Sequence, residues 1–286
     1  MAKENDFQDV GRWHYDNGVR LDWEVPPERK TDYEKHIRGV MEGYYRERLK
    51  VEGELGEVAV AHYEHLSKII IDNLRKRNME GYYAADRRAA RDLILGMIPE
   101  GAAVSRGDSM TMDAIGVVSA LVERNQNAVS DPFVRKADGS PLVKVMTEPW
   151  YDMHRQAFHA DVFLTGTNAI TLDGKLVNID GVGNRVAPMV FGPKKVIIAV
   201  GVNKIVKDTE EALARIHEYA APVNARRHAM LHGHTDYASI PCAATGKCVD
   251  CRHEWRLCRA TTIIEGSFLP LKGRIHVVIV GEELGI

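Results

Sequence analysis

The chain's four cysteines are Cys242, Cys248, Cys251 and Cys258, spaced C-x5-C-x2-C-x6-C. Thiols gathered this tightly in a reducing compartment predict a metal site rather than a disulfide framework. In Thr245-Gly246-Lys247-Cys248-Val249-Asp250-Cys251 a glycine stands beside the C-x2-C, a spacing that lets two thiolates reach one metal from a tight turn. Cys242 and Cys258 complete a set of four ligands. Tetrahedral zinc sites more often pair two such knuckles, and this segment has one; iron–sulfur clusters also take four cysteines, at looser spacings. The spacing alone leaves iron–sulfur, zinc and unmetallated thiols open. Arg252, Arg256 and Arg259 interleave with the cysteines and would offset thiolate charge. Just upstream, His228, His232 and His234 form H-x3-H-x-H; the first two share a helix face at a metal-binding separation, although solvated imidazoles on a polar loop are the simpler expectation.

Two further constellations have the composition of anion sites. The segment Ser105-Arg106-Gly107-Asp108-Ser109-Met110-Thr111 follows a strand-like run and opens a helix. There Gly107 permits close backbone approach, and the Ser109 and Thr111 hydroxyls either hold an anion or cap the helix. The second joins Thr165, Gly166, Thr167 and Asn168 to Asn178, Asp180, Gly181, Gly183, Asn184 and Arg185. Both parts follow apolar runs, and ligands of open α/β sheets gather beyond the carboxyl ends of strands. Arg185 has the fork geometry for a carboxylate or phosphate. Asp173-Gly174 reads as a hairpin turn. His154 and His159 are further general-base candidates, with surface or supporting roles equally open.

These groups need elements to position them. The composition is that of a globular protein: 286 residues, 45% hydrophobic, 27% charged, net charge −2. Disordered, collagenous and disulfide-scaffold classes are excluded, and nucleic acid and membrane are not expected as partners. The polar start MAKENDFQDV lacks a secretory apolar region, so a cytoplasmic protein is expected. Residues 1–55 read as an arm and a helix over Thr31–Arg48, with Trp13, Tyr15, Trp23, Tyr44 and Tyr45 as covering or interface aromatics. Helices are expected over Gly56–Arg77 and Ala85–Met97, after Gly107–Thr111 through Ile115, Val118 and Leu121, and over Met153–Ala160 and Thr209–Ala220. Strands are expected at Ala102–Ser105, Asp161–Thr165, Leu176–Ile179, Val196–Val200 and His276–Val280. Residues 56–286 therefore form an α/β domain: a mostly parallel open sheet flanked by helices, with Ala221–Ala260 as a loop-like, Cys-rich insertion before the last strand.

Long ungapped motifs make the chain resemble the LUD-domain (lactate-utilisation) family. They are Asp161–Asn168, Asn178–Ala187, Phe191-Gly192-Pro193-Lys194-Lys195-Val196-Ile197, Gly201-x-Asn203-Lys204-Ile205-Val206, Ala220-Ala221-Pro222-x-Asn224-Ala225-x-Arg227 and Glu282-Glu283-Leu284-Gly285. The resemblance covers roughly Gly56 to Ile286. It implies a fold like that of ribose-5-phosphate isomerase and the CoA transferases. In the sugar-phosphate isomerases an Asp matching Asp161 lies at the active centre, which makes Asp161, with Asp180, an acid/base candidate. Asp161 is followed by Val-Phe rather than polar residues, a departure from the isomerase pattern. The resemblance also tilts the cysteines towards an iron–sulfur cluster of the 4Fe–4S kind, with zinc as the alternative. The resulting expectation is an oxidoreductase component of organic-acid utilisation that binds a small anionic metabolite, a hydroxy- or oxo-carboxylate or a phosphorylated compound. The rival expectations are a non-redox isomerase-like enzyme with structural zinc, and a non-catalytic subunit docking an Fe–S redox protein. A homo-oligomer is compatible with each.

Overall fold

A computed structural model describes residues 56–232 and 235–286. The expected helix over Thr31–Arg48, the five arm aromatics and His234 lie outside the described residues, as does the side chain of His232. Val60–Ile286 forms one compact unit.

Helix α1 spans 56–76 and buries Ile70, Ile71 and Leu74. A turn leads to strand β1 (Glu80–Ala84), then α2 (Arg87–Gly96), whose first turn is capped by the Asp86 carboxylate accepting from the Ala89 N–H at 2.7 Å. Strand β2 (Ala103–Arg106) feeds α3 (Met110–Ile115) and α4 (Val117–Arg124). The single helix expected here is split at Gly116, which adopts φ 78°. Next come β3 (Ala128–Ser130), α5 (Glu148–Gln156), β4 (Val162–Gly166), β5 (Ala169–Thr171), β6 (Leu176–Asp180), α6 (Val186–Val190), β7 (Lys195–Gly201) and β8 (Ile205–Val206). Helix α7 (Thr209–Arg215) continues through a π-helical turn, Ile216–Ala220, into α8 (Ala221–His232). Short helices α9 (Thr235–Ala238) and α10 (Pro241–Thr245) precede β9 (Ala260–Ile264) and β10 (Ile275–Val280).

The main sheet has six parallel strands in the order β1-β10-β7-β4-β2-β3. Its strands are buried on both faces, which is why they read as continuous apolar runs. On β7, Val196, Ile198 and Val200 face one core with Phe163, Val277, Ile279 and α1. Ile197 and Ala199 face the other, with Val104, Leu164, Val278 and the apolar sides of α2, α3 and α4. A second sheet, β8-β5-β6-β9, is mixed. The expected hairpin turn at Asp173-Gly174 joins β5 to β6, with Gly174 at φ 85°. Strand β6 thus belongs to this second sheet, not to the parallel one. Its Leu176 packs into the α1 core, while Val177 and Ile179 pack under Ala212 and Ile216.

The segment Ala221–Ala260 differs from the expected loop. Three helices occupy its first half and enclose a small core of Ala225, Tyr237, Ile240, Cys242 and Ala243. Few large apolar residues contribute, and the apolar and polar residues of α8 are mixed around the helix, so no amphipathic period marked it in the sequence.

Candidate functional site

A cleft of about 760 Å³ opens beyond the carboxyl ends of β2, β3, β4 and β7. Its walls bring together Arg106, Asp108 and Ser109 after β2, Asp131 and Phe133 after β3, Gly166, Thr167 and Asn168 after β4, and Lys204 after β7. Asp180, Gly181, Asn184 and Arg185 reach it from the β6–α6 connection, and Arg227 and His228 from α8. A parallel sheet leaves its strand-end loops and unpaired backbone groups on one side, so a polar cleft collects there.

Arg185 is the hub of one wall. Its Nε donates to Asp180 Oδ1 at 3.0 Å, Nη1 to the Gly166 carbonyl and Asn178 Oδ1, and Nη2 to Asn168 Oδ1 and the Ile179 carbonyl. The other Asp180 oxygen accepts from the Arg185 and Val186 N–H groups at 3.0 and 2.9 Å. All the donors of the guanidinium are therefore engaged inside the protein. Arg185 and Asp180 hold β4, β6 and the start of α6 in register, and this arrangement offers no free fork to an external anion.

Arg227 and Arg106 also carry acidic partners. Arg227 binds Asp108 bidentately at 2.9 and 3.1 Å, tying α8 to the loop after β2. Burial alone would raise the Asp108 carboxyl; the Arg227 guanidinium and nearby positive charge hold it below the usual carboxylate range. Arg106 is buried, donates to Asp113 at 2.6 Å, and lies 3.7 Å from Asp131 and over the Phe133 ring. Lys204 differs. Its side chain is 4% exposed, its ammonium is 3.0 Å from Thr111 Oγ1, and no carboxylate lies within ion-pair distance among the described residues. Burial first, then the charges of Arg215 and Arg185, pushes it down to about 7.

Of the residues singled out from sequence, Ser109, Gly166, Thr167, Asn168, Asp180, Gly181, Asn184 and Arg185 line the cleft. Gly107, Thr111, Thr165, Asn178 and Gly183 stand behind it: Thr111 supports Lys204 and donates to the Leu284 carbonyl, and Thr165 is fully buried. Gly107 is packed against the Arg185 side chain and has no space for a Cβ. Asp161 lies at the opposite, amino-terminal end of β4, where it accepts from the Ala103 N–H and binds Lys194 at 2.7 Å. That lysine first, then the N–H, holds its carboxyl low. The structure thus places Asp161 outside the cleft, as a clamp between strand starts. His154 is buried between the Trp150 and Phe133 rings, and burial depresses it to about 4. Lys204, Arg106, Arg227 and the Asp108 carboxylate were not picked out from sequence. The signal for Lys204 was a lysine following directly on an apolar strand.

The four cysteines are free thiols. All four line one enclosed cavity of about 20 Å³, together with Ala225, Ile240, Val249, Arg256 and Leu257. Cys242 comes from α10, Cys248 and Cys251 from the turn after Gly246, and Cys258 from the approach to β9. Burial and then the other three thiols push the Cys242 thiol up. Arg256 Nε donates to Cys258 Sγ at 3.1 Å, and His217 Nδ1 lies 3.5 Å from Cys248 Sγ. Among the described residues no three His, Cys, Asp or Glu side chains stand as a ready ligand group for one metal ion. His253 is held by Ser239 and by the Trp255 N–H, away from a ligand role. Leu257 lines both this cavity and the cleft, so the thiols lie directly behind the cleft wall. Among the described residues no helix is long and apolar enough to cross a membrane.

Comparison with known proteins adds three findings. The family model for the LUD domain matches residues 67–280. A solved structure, described as a DUF162 family protein from Deinococcus radiodurans, is 15% identical, with a TM-score of 0.40; the match covers 77% of this chain and 97% of that one. No curated protein matches.

Proposed function

Because the chain belongs to the LUD-domain family, we propose that it is an organic-acid redox protein, in which the strand-end cleft binds a small anionic metabolite and the four cysteines hold an iron–sulfur cluster behind the cleft wall. The observation that carries this reading is the convergence of Cys242, Cys248, Cys251 and Cys258 on one cavity that shares Leu257 with a polar cleft. The chemistry of the lining suits a cluster, with four thiols, an N–H donor on one sulfur from Arg256, and apolar walls from Ala225, Ile240 and Leu257. The thiols must rearrange to become its ligands, because they do not stand as a ready ligand group. Once bound, such a cluster supplies one-electron transfer. The chain's own residues do the rest. Arg256 balances thiolate charge, Leu257 separates the thiols from the cleft, and Ser109 and Asn168 offer hydrogen bonds to the metabolite's oxygens.

Zinc is the second reading. A cavity of about 20 Å³ has room for a single ion, whereas a cluster requires the thiols to stand further apart. Anaerobic purification with an absorption spectrum and iron, sulfide and zinc analysis separates the two. Broad visible absorption with iron and sulfide, lost in Cys248→Ala, is the expected result; a colourless protein with stoichiometric zinc overturns it.

A further inference from the structure

Apart from Arg135, which is exposed to solvent and donates to the Gly139 carbonyl, each arginine of the cleft is buried or half-buried and has an aspartate: Arg106 has Asp113 and Asp131, Arg185 has Asp180, and Arg227 has Asp108. Lys204 has none among the described residues. It is delivered by the turn Val202–Lys204 at the end of β7, is nine-tenths buried, and still lines the cleft. The groups facing it are the Thr111 hydroxyl from α3, the Arg215 guanidinium from α7 and the Arg185 guanidinium from the β6–α6 connection. Both guanidiniums donate elsewhere, Arg215 to the Asn168 and Asn203 carbonyls. They add positive charge around Lys204 and supply no counter-charge. A desolvated, unpaired ammonium beside two like charges is a strongly disfavoured arrangement, and an incoming anion relieves it.

We propose that Lys204 is the anchor for one carboxylate of a small 2-oxo or 2-hydroxy acid in the cleft, and that the lysine takes up a proton as the acid binds. This deepens the metabolite-binding reading above and rests on it. Arg215 also lacks a carboxylate partner among the described residues but does not line the cleft, so Lys204 is the buried unmatched charge that a ligand meets, and one such charge favours a monoanion over a phosphate dianion. The step is a proton transfer from solvent to the Lys204 amine, with formation of an ion pair and no covalent change. In the free protein Lys204 titrates near about 7. Above that pH the empty site is neutral, and binding must recruit the proton, so affinity falls by about tenfold per pH unit until the bound-state value is reached.

The test is isothermal titration of the full chain with pyruvate and with L-lactate between about pH 6 and about pH 9, in buffers of different ionisation heat. The wild type is expected to bind with uptake approaching about one proton per anion on the alkaline side. Lys204→Met is expected to lose at least about tenfold in affinity together with the uptake. Lys204→Arg, with a guanidinium that does not titrate, is expected to bind without uptake. Thermal melts establish that both variants are folded, and Lys204→Gln replaces either that is not. Wild-type affinity and uptake in Lys204→Met would sink the Lys204 assignment while leaving the cleft as the metabolite site. Tighter binding of inorganic phosphate than of either acid overturns the monoanion. No heat from any of these probes at any pH overturns the metabolite-binding reading itself, and this inference with it.

Discussion

At the scale of single residues, the cleft contains two kinds of buried cation with opposite consequences for stability. Arg185 is fully satisfied by Asp180, Asn168, Asn178 and two carbonyls. Replacing it with Met strands a buried aspartate and several oriented acceptors, so Arg185→Met is expected to destabilise by about 3–5 kcal/mol in urea unfolding. Lys204 behaves the other way. Its folded-state value, about 7, lies below the unfolded value of 10.5. Between these limits the unfolded chain binds more protons, so stability rises with pH, by at most about 1.4 kcal/mol per unit from this group. Below about 7 both states are protonated and the full penalty of the buried charge applies. Denaturation midpoints measured from neutral to alkaline pH are expected to rise in the wild type. In Lys204→Met they are expected to start higher and lack that rise. A flat wild-type profile would show that the lysine finds a counter-charge in solution. Chain neighbours announced neither role: Arg185 looked like an anion fork until its donors had partners, and Lys204 acquired its character from burial.

At the scale of elements, the cysteine-bearing segment is held by a small core of its own. Its core of Ala225, Tyr237, Ile240, Cys242 and Ala243 is a separate cluster from the two that sandwich the parallel sheet. A small core stabilises little, and local opening follows local burial. Amides of α8, α10 and the Cys248–Cys258 stretch are expected to exchange with deuterium faster than those of β7 and β10 in metal-free protein. A bound metal centre ties the four cysteines together and is expected to slow that exchange selectively. Equal protection in both regions without metal would show that the segment is held by the main fold. The sequence marked the cysteines and their turn, since Gly246 beside C-x2-C is a local pattern. It did not mark α8, because apolar and polar residues mixed around a helix leave no period to read.

At the scale of the whole molecule, the six-stranded sheet with apolar contacts on both faces governs stability. Phe163, in the middle of β4, is fully buried among Val196, Ile198 and Met189 on the α1 side. Phe163→Ala is expected to lower unfolding stability by about 3–5 kcal/mol in one cooperative transition of 56–286, monitored by circular dichroism. A second, independent transition would mean that the two sheets fold separately.

Composition and pattern alone determined the class of this protein. Continuous apolar runs separated by helical periods require a doubly covered, mostly parallel sheet, because only burial on both faces tolerates them. The hairpin at Asp173-Gly174 and the glycine–cysteine turn were likewise legible, being local. Strands β3, β5 and β8 were not, since strands of two or three residues draw their stability from partners far away in sequence, and β1 (EGYYA) and β9 (ATTII) lack a continuous apolar run. Tertiary structure alone decided which polar residues share the cleft. Chain order puts Asp161 at the amino end of β4 and Thr167 at the carboxyl end; only parallel pairing with β2 and β7 gathers the carboxyl ends around one cleft and leaves Asp161 on the far side. The same assembly set an unpaired lysine against Thr111 and gathered four thiols behind Leu257, because charge pairing and burial depend on what the fold brings near.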